Sequence, residues 1–185
     1  MFEKSNFLFY FLIFIFLIGC AKQEVKINDK DIKKISEAVN MKLISQAFSN
    51  SGVIPSEYTC DGSDVSPPLQ INDVPKNAKS LVLISDDPDA PVGTWDHWVV
   101  FNIPATITEI PKGTEPKGVE GRNSWGKTGY GGPCPPSGTH RYFFKLYALD
   151  TTLNLPEGST KKQIETAMQG HILAKAELMG TYKRN

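Results

Sequence analysis

LVLISDDPDAPVGTWDHWVVFNI, residues 81–103, holds two nearly unbroken apolar runs separated by a proline-rich loop. Leu81–Ser85 and His97–Ile103 are rich in β-branched and aromatic residues, too short for buried helices and bounded by turn residues. Both read as strands with apolar neighbours on each side, which fits a sheet covered on both faces or the core of a sandwich. If the two pair antiparallel, the end of the first lies beside the start of the second, so Asp87 and His97 meet at one rim. Pro88 and Pro91 fix φ and push Asp87 and Ala90 into extended conformations, giving a loop stiff enough to hold a carboxylate still.

Working outward, HRYFFKLYALD (140–150) is a third strand. His140 stands at its start, with Tyr142 on the same face by the two-residue period. The stretch before it, GGPCPPSGT (131–139), concentrates glycine and proline. Its reading is either an ordinary loop or a rigid pocket in which the amides of Gly131, Gly132 and Cys134 receive an anion between walls of proline. Segment 159–168, STKKQIETAM, has a capping hydroxyl and the spacing of a short helix. HILAKAELMGTYKRN then offers Ile172, Leu173, Ala176 and Leu178 or Met179 on one stripe, predicting a second helix that stops at Gly180 and carries His171.

The chain has 185 residues with 20 Lys+Arg against 20 Asp+Glu, so no excess of positive charge points to nucleic acid. One domain from 41 to 185 accounts for the length beyond the first forty residues. Phe7–Ile18, FLFYFLIFIFLI, follows a short segment carrying Lys4, the layout of a secretory signal over residues 1–19. As helix it would reach about 18 Å, short of the roughly 30 Å of bilayer hydrocarbon. Gly19-Cys20 directly behind it resembles a bacterial lipobox, with Cys20 acylated after cleavage. The other reading is an ordinary signal with a chance cysteine. Residues 20–40 are polar and read as a tether, so the expected location is the cell envelope, lipid-anchored to a membrane. An acylated Cys20 leaves Cys60 and Cys134, either disulfide-bonded or two independent thiols.

YTCDG (58–62), VSPPL (65–69), DPDAP (87–91), HWVVFNIP (97–104), GYGGPCPPSGTHRY (129–142) and GHILAKAELMGTYKR (170–184) together resemble the phosphatidylethanolamine-binding protein family, in its bacterial Raf kinase inhibitor-like branch. The resemblance implies a mainly β fold, a sandwich-like arrangement with a large central antiparallel sheet and C-terminal helices. It also implies a small pocket for the phosphate of a small molecule or phospholipid head group, with no cofactor and no enzymatic role. Carried over by position, that pocket uses Asp87, Ala90, Pro91, His97 and Gly132, together with Pro135, Pro136, His140 and Tyr142. Two other chemistries fit the same residues. Cys134 with His97 or His140 as base would make a cysteine hydrolase, and His97, His140 and Asp87 or Asp89 could hold zinc.

Overall fold

The structure, a computed structural model, describes residues 40–184. The signal segment, Cys20 and the tether lie outside the described residues. The described residues form eight strands and one α-helix: β1 (Lys42–Ile44), β2 (Leu69–Asn72), β3 (Ser80–Asp87), β4 (Trp95–Pro104), β5 (Glu109–Ile110), β6 (Val119–Glu120), β7 (Thr139–Leu149), α1 (Lys161–Ala167) and β8 (Ile172–Lys183). All pair antiparallel, in a five-stranded sheet of order β6-β4-β3-β7-β8 and a three-stranded sheet of order β1-β2-β5.

Every residue of β3 is buried, as its uninterrupted apolar run requires. Leu81 and Leu83 pack toward the small sheet with Trp98, Leu69 and Ile71, while Val82 and Ile84 pack on the other face with Phe101, Ile164 and Met168 beneath α1. The central strand is therefore covered on both sides by alternate residues, so its apolar pattern shows no alternation.

The helix α1 forms where its signals predict. Thr160 accepts from the Gln163 amide while the Gln163 side chain reaches back to the Thr160 amide, so two orphan donors at the N-terminus are satisfied reciprocally. The second predicted helix does not exist. Residues 172–183 are β8, paired residue by residue with β7 from Thr139↔Lys183 to Ala148↔Ala174. Leucine, alanine and methionine favour helix locally, but the exposed edge of β7 offers a full ladder of hydrogen bonds, and tertiary pairing overrides propensity. Ala176, Leu178, Gly180 and Tyr182 alternate into the core instead of forming a helical stripe. His171 lies in the turn before β8, its Nδ1 donating to Asp150 at 2.8 Å.

Gly180 is not a helix stop but a point of close approach. A Cβ there would sit 2.5 Å from Cγ1 of Ile54 and 2.8 Å from Cε2 of Phe48, side chains packed under the strand. Gly180→Ala is expected to destabilise the protein by about 1–3 kcal/mol through overpacking, read as a fall in the urea midpoint.

Candidate functional site

One irregularity in β4 shapes the site. Its register against β3 steps from Ser85↔Trp98 to Asp86↔Asp96, leaving His97 as the extra, unpaired residue of a bulge. A bulge re-aims a side chain that regular pleating would place elsewhere. Here it turns the imidazole of His97 into a cavity of about 490 Å³ at the end of the large sheet, which Asp87 also lines. The predicted meeting of Asp87 and His97 at one rim therefore holds, although the strict cross-strand partner of Asp87 is Trp95.

Ala90, Pro91, Gly132, Pro136 and Tyr142 line the same cavity. Pro135 and His140 do not. Pro135 is buried in the loop, and His140 sits behind Asp87, its Nδ1 donating to Oδ2 at 2.7 Å. Asp87 Oδ1 accepts the Asp89 amide at 2.8 Å, so both oxygens of this buried carboxylate are engaged. Asp89 turns outward to Arg141, whose guanidinium holds the Asp89 carboxyl low, at about 2.

His97 donates from Nδ1 to the carbonyl of Gly131 at 2.7 Å. That bond fixes the tautomer and leaves Nε2 for a ligand. The ring stands edge-on to Tyr142 and Trp125, with centroids 5.3 Å and 5.0 Å away. Burial lowers its pKa below the ordinary 6.5, with the Gly131 carbonyl and the Asp87 charge opposing. Between the folded value and 6.5 the unfolded chain binds more protons, so the ring's contribution to stability is lost as pH falls through that window.

Two buried donors lack a hydrogen bond of good geometry among the described residues: the hydroxyl of Tyr142, which lies near Asp87, and the indole nitrogen of Trp95. Both residues line the cavity. Burial, reinforced by the nearby Asp87 charge, raises the pKa of Tyr142 so far that it remains a hydroxyl donor at any physiological pH. Buried donors left unpaired cost free energy, and a ligand oxygen that accepts from them recovers it.

The glycine loop works differently from its sequence reading. The amide of Gly131 donates to the His97 carbonyl at 3.1 Å and that of Gly132 to Asp64 Oδ1 at 2.8 Å, so neither is free to receive an anion. Glycine is needed for space instead. A Cβ on Gly131 would lie 2.6 Å from the Trp125 ring, and one on Gly132 would meet Asp64 and the Tyr58 carbonyl.

Cys60 and Cys134 are joined as a disulfide on the cavity wall. A bonded sulfur is not a nucleophile, so the Cys134 hydrolase arrangement is absent from this form of the chain. Among the described residues no group of three or more His, Cys, Asp and Glu is arranged to hold a metal ion. Asp64, Trp95, Asn123, Trp125, Lys127 and Tyr130 also line the cavity, and the sequence reading assigned none of them a ligand role. Apart from Trp95, the first residue of β4, they come from loops without periodicity.

The sheet topology and the rimmed cavity together define a phosphatidylethanolamine-binding fold, and the chain belongs to the phosphatidylethanolamine-binding protein family, whose model matches residues 44–183. Its relatives include UPF0098 proteins from Methanothermobacter thermautotrophicus, 54% identical over 78% of this chain and 99% of that one, and Pyrococcus horikoshii, 49% identical over 80% and 79%. A crystal structure of a Chlamydia trachomatis protein, described as a homolog of phosphatidylethanolamine-binding protein, superposes with TM-score 0.76 at 49% identity, covering 78% of this chain and 98% of that one. Escherichia coli YBCL, described as a new member of the mammalian family, gives TM-score 0.73 at 32% identity over 78% and 99%.

Proposed function

We propose that this protein is a membrane-anchored binding module that takes a phosphate-bearing small molecule or phospholipid head group into the cavity, and that it is not an enzyme. The observation that carries the reading is the pair of buried donors without a hydrogen bond of good geometry, Tyr142 hydroxyl and Trp95 indole, beside the open Nε2 of His97. Two donors, joined by a third at Nε2 once His97 is protonated, suit the oxygens of a phosphoryl group. Asp87 opposes an anion electrostatically, by about 4 kcal/mol at 4 Å and an effective dielectric of 20. Protonation of His97 offsets that charge, and so does an ammonium group on a zwitterionic ligand.

Binding of an anion favours protonated His97, so affinity rises as pH falls toward the folded pKa of that ring, which lies below 6.5. Glycerophosphoglycerol keeps a single phosphate charge across this range and carries no ammonium to stand in for protonated His97, which isolates the protein's titration. Calorimetry is expected to show binding at least about tenfold tighter at pH 5 than at pH 8, each factor of ten being 1.4 kcal/mol. His97→Gln should flatten the profile. Equal affinity at both pH values for the unaltered protein defeats the reading.

The anchoring half of the proposal rests on Phe7–Ile18 followed by Gly19-Cys20. Cells fed labelled palmitate are expected to label the protein, and Cys20→Ser to abolish the label and release the domain from membranes.

A further inference from the structure

We propose that the mouth of the cavity docks on a phospholipid bilayer, with Val92 and Trp125 entering the head-group region. The inference rests on the head-group reading above and adds a contact surface to it. Two turns flank the mouth and are built alike. In one, the Gly93 amide donates to the Ala90 carbonyl at 3.1 Å; in the other, the Gly126 amide donates to the Asn123 carbonyl at 3.0 Å. Each closes on a glycine of positive φ, 98° at Gly93 and 78° at Gly126. Pro91 stiffens the first, and the Asn123 side chain, accepting the amides of Trp125 and Lys127, stiffens the second.

Turn tips ordinarily carry polar residues, yet here the third position of each turn is apolar. Val92 is 78% exposed and Trp125 44%. Both border the cavity, whereas the other large exposed apolar residues among those described, Ile44, Val53, Ile172 and Leu173, do not. Two rigid turns therefore hold apolar side chains out to solvent at the mouth of the cavity that Asp87 and His97 line. An indole with a buried edge and an exposed ring is suited to a membrane interface, where its apolar body and polar N–H are both satisfied.

The occupant is a lipid surface for two reasons. Lys127, exposed on the same turn beside Trp125, presents positive charge to anionic head groups. The chain preceding the described residues also carries Cys20 directly behind the apolar run Phe7–Ile18, and the lipid anchor proposed there keeps the domain at a bilayer surface.

The test uses the full chain in vesicles of phosphatidylethanolamine and phosphatidylglycerol, part of the lipid brominated on its acyl chains near the head group. All three tryptophans of the protein lie at 95, 98 and 125, so the apolar N-terminal run contributes no indole signal. Bromine is expected to remove the Trp125 share of the emission, identified as the share missing in Trp125→Phe. Val92→Asp, a change at an exposed turn tip, should restore that emission while the chain stays with the vesicles. Unquenched emission from a vesicle-bound chain overturns docking, as does quenching that persists in Val92→Asp. Glycerophosphoethanolamine titration in parallel separates the two proposals. Binding without quenching sinks only the docking surface, and quenching without binding sinks only the pocket reading.

Discussion

Asp86→Ala is expected to destabilise the protein by about 3–5 kcal/mol, enough to unfold a marginal domain, measured by urea unfolding of variant and parent. Asp86 is fully buried at the end of β3, facing away from the cavity because its neighbour Asp87 faces toward it. Its two oxygens accept from Lys145 Nζ at 2.8 and 2.7 Å, and Oδ2 accepts from Lys161 Nζ at 2.6 Å. Lys161 also donates to Asp96 Oδ1 at 3.0 Å. Burial works against the charge on Lys161, yet the two carboxylates outweigh it and raise its pKa.

Removing Asp86 leaves Lys145 with no carboxylate partner among the described residues and Lys161 with Asp96 alone, and that stranded charge is the source of the loss. The network is not itself a large net stabiliser, because four charges had to be desolvated to form it. Asp86→Ala combined with Lys161→Met should therefore recover a substantial part of the loss, since it deletes one of the stranded charges. A single-variant loss below about 1 kcal/mol would mean the lysines escape to solvent and the network is superficial. Ligand affinity should change little wherever Asp86→Ala remains folded, because the network ties α1 to the far face of the sheet and the Asp86 charge is the weakest of the influences on the His97 ring.

The strands that build the large sheet were legible because each is buried on a pattern set by its own residues. Leu81–Ser85 and His97–Ile103 show continuous apolar runs, and His140 with Tyr142 shows alternation, so β3, β4 and β7 follow from local chemistry. β8 was not legible in that way. Ala174, Ala176, Leu178 and Gly180 satisfy a two-residue period, while Ile172, Leu173, Ala176 and Met179 satisfy a helical one. The choice between them was made by the free edge of β7, a partner more than thirty positions away at Thr139↔Lys183. The site divides along the same line. Asp87, His97 and Tyr142 were visible because strand ends and strand period placed them. Asp64 and Asn123 act by gripping loops, through Gly132 in one case and Trp125 and Lys127 in the other, and loop contacts leave no periodic trace. Nor could the sequence show that the Gly131 and Gly132 amides would be consumed inside the protein, because their acceptors His97 and Asp64 arrive only through the tertiary fold.

Cys60→Ser with Cys134→Ser is expected to lower stability by about 4 kcal/mol, the chain-entropy value for closing a loop of this length. The two cysteines are 74 positions apart, and the loop between them spans β2 to β6, most of both sheets. Long loops release the most freedom when opened, which makes this one of the most consequential covalent changes available to the chain. At this size the loss corresponds to a fall in melting temperature of roughly 10 °C, and a dithiol reductant acting on the unaltered protein should reproduce it. The cavity should respond less than the stability does. Its wall keeps the Cys60 amide on the Pro133 carbonyl at 3.1 Å, Tyr130 on the Tyr58 carbonyl at 2.7 Å and Gly132 on Asp64 at 2.8 Å. These three bonds fix the two loops in the folded state, whereas the disulfide acts mainly on the unfolded one. Glycerophosphoethanolamine affinity of the double variant, measured well below its melting temperature, is therefore expected within about threefold of the parent, under 1 kcal/mol. A melting temperature that does not move would show that the unfolded chain holds these loops together without the bond. Loss of binding with stability preserved would show that the disulfide, not the hydrogen bonds, sets the shape of the wall.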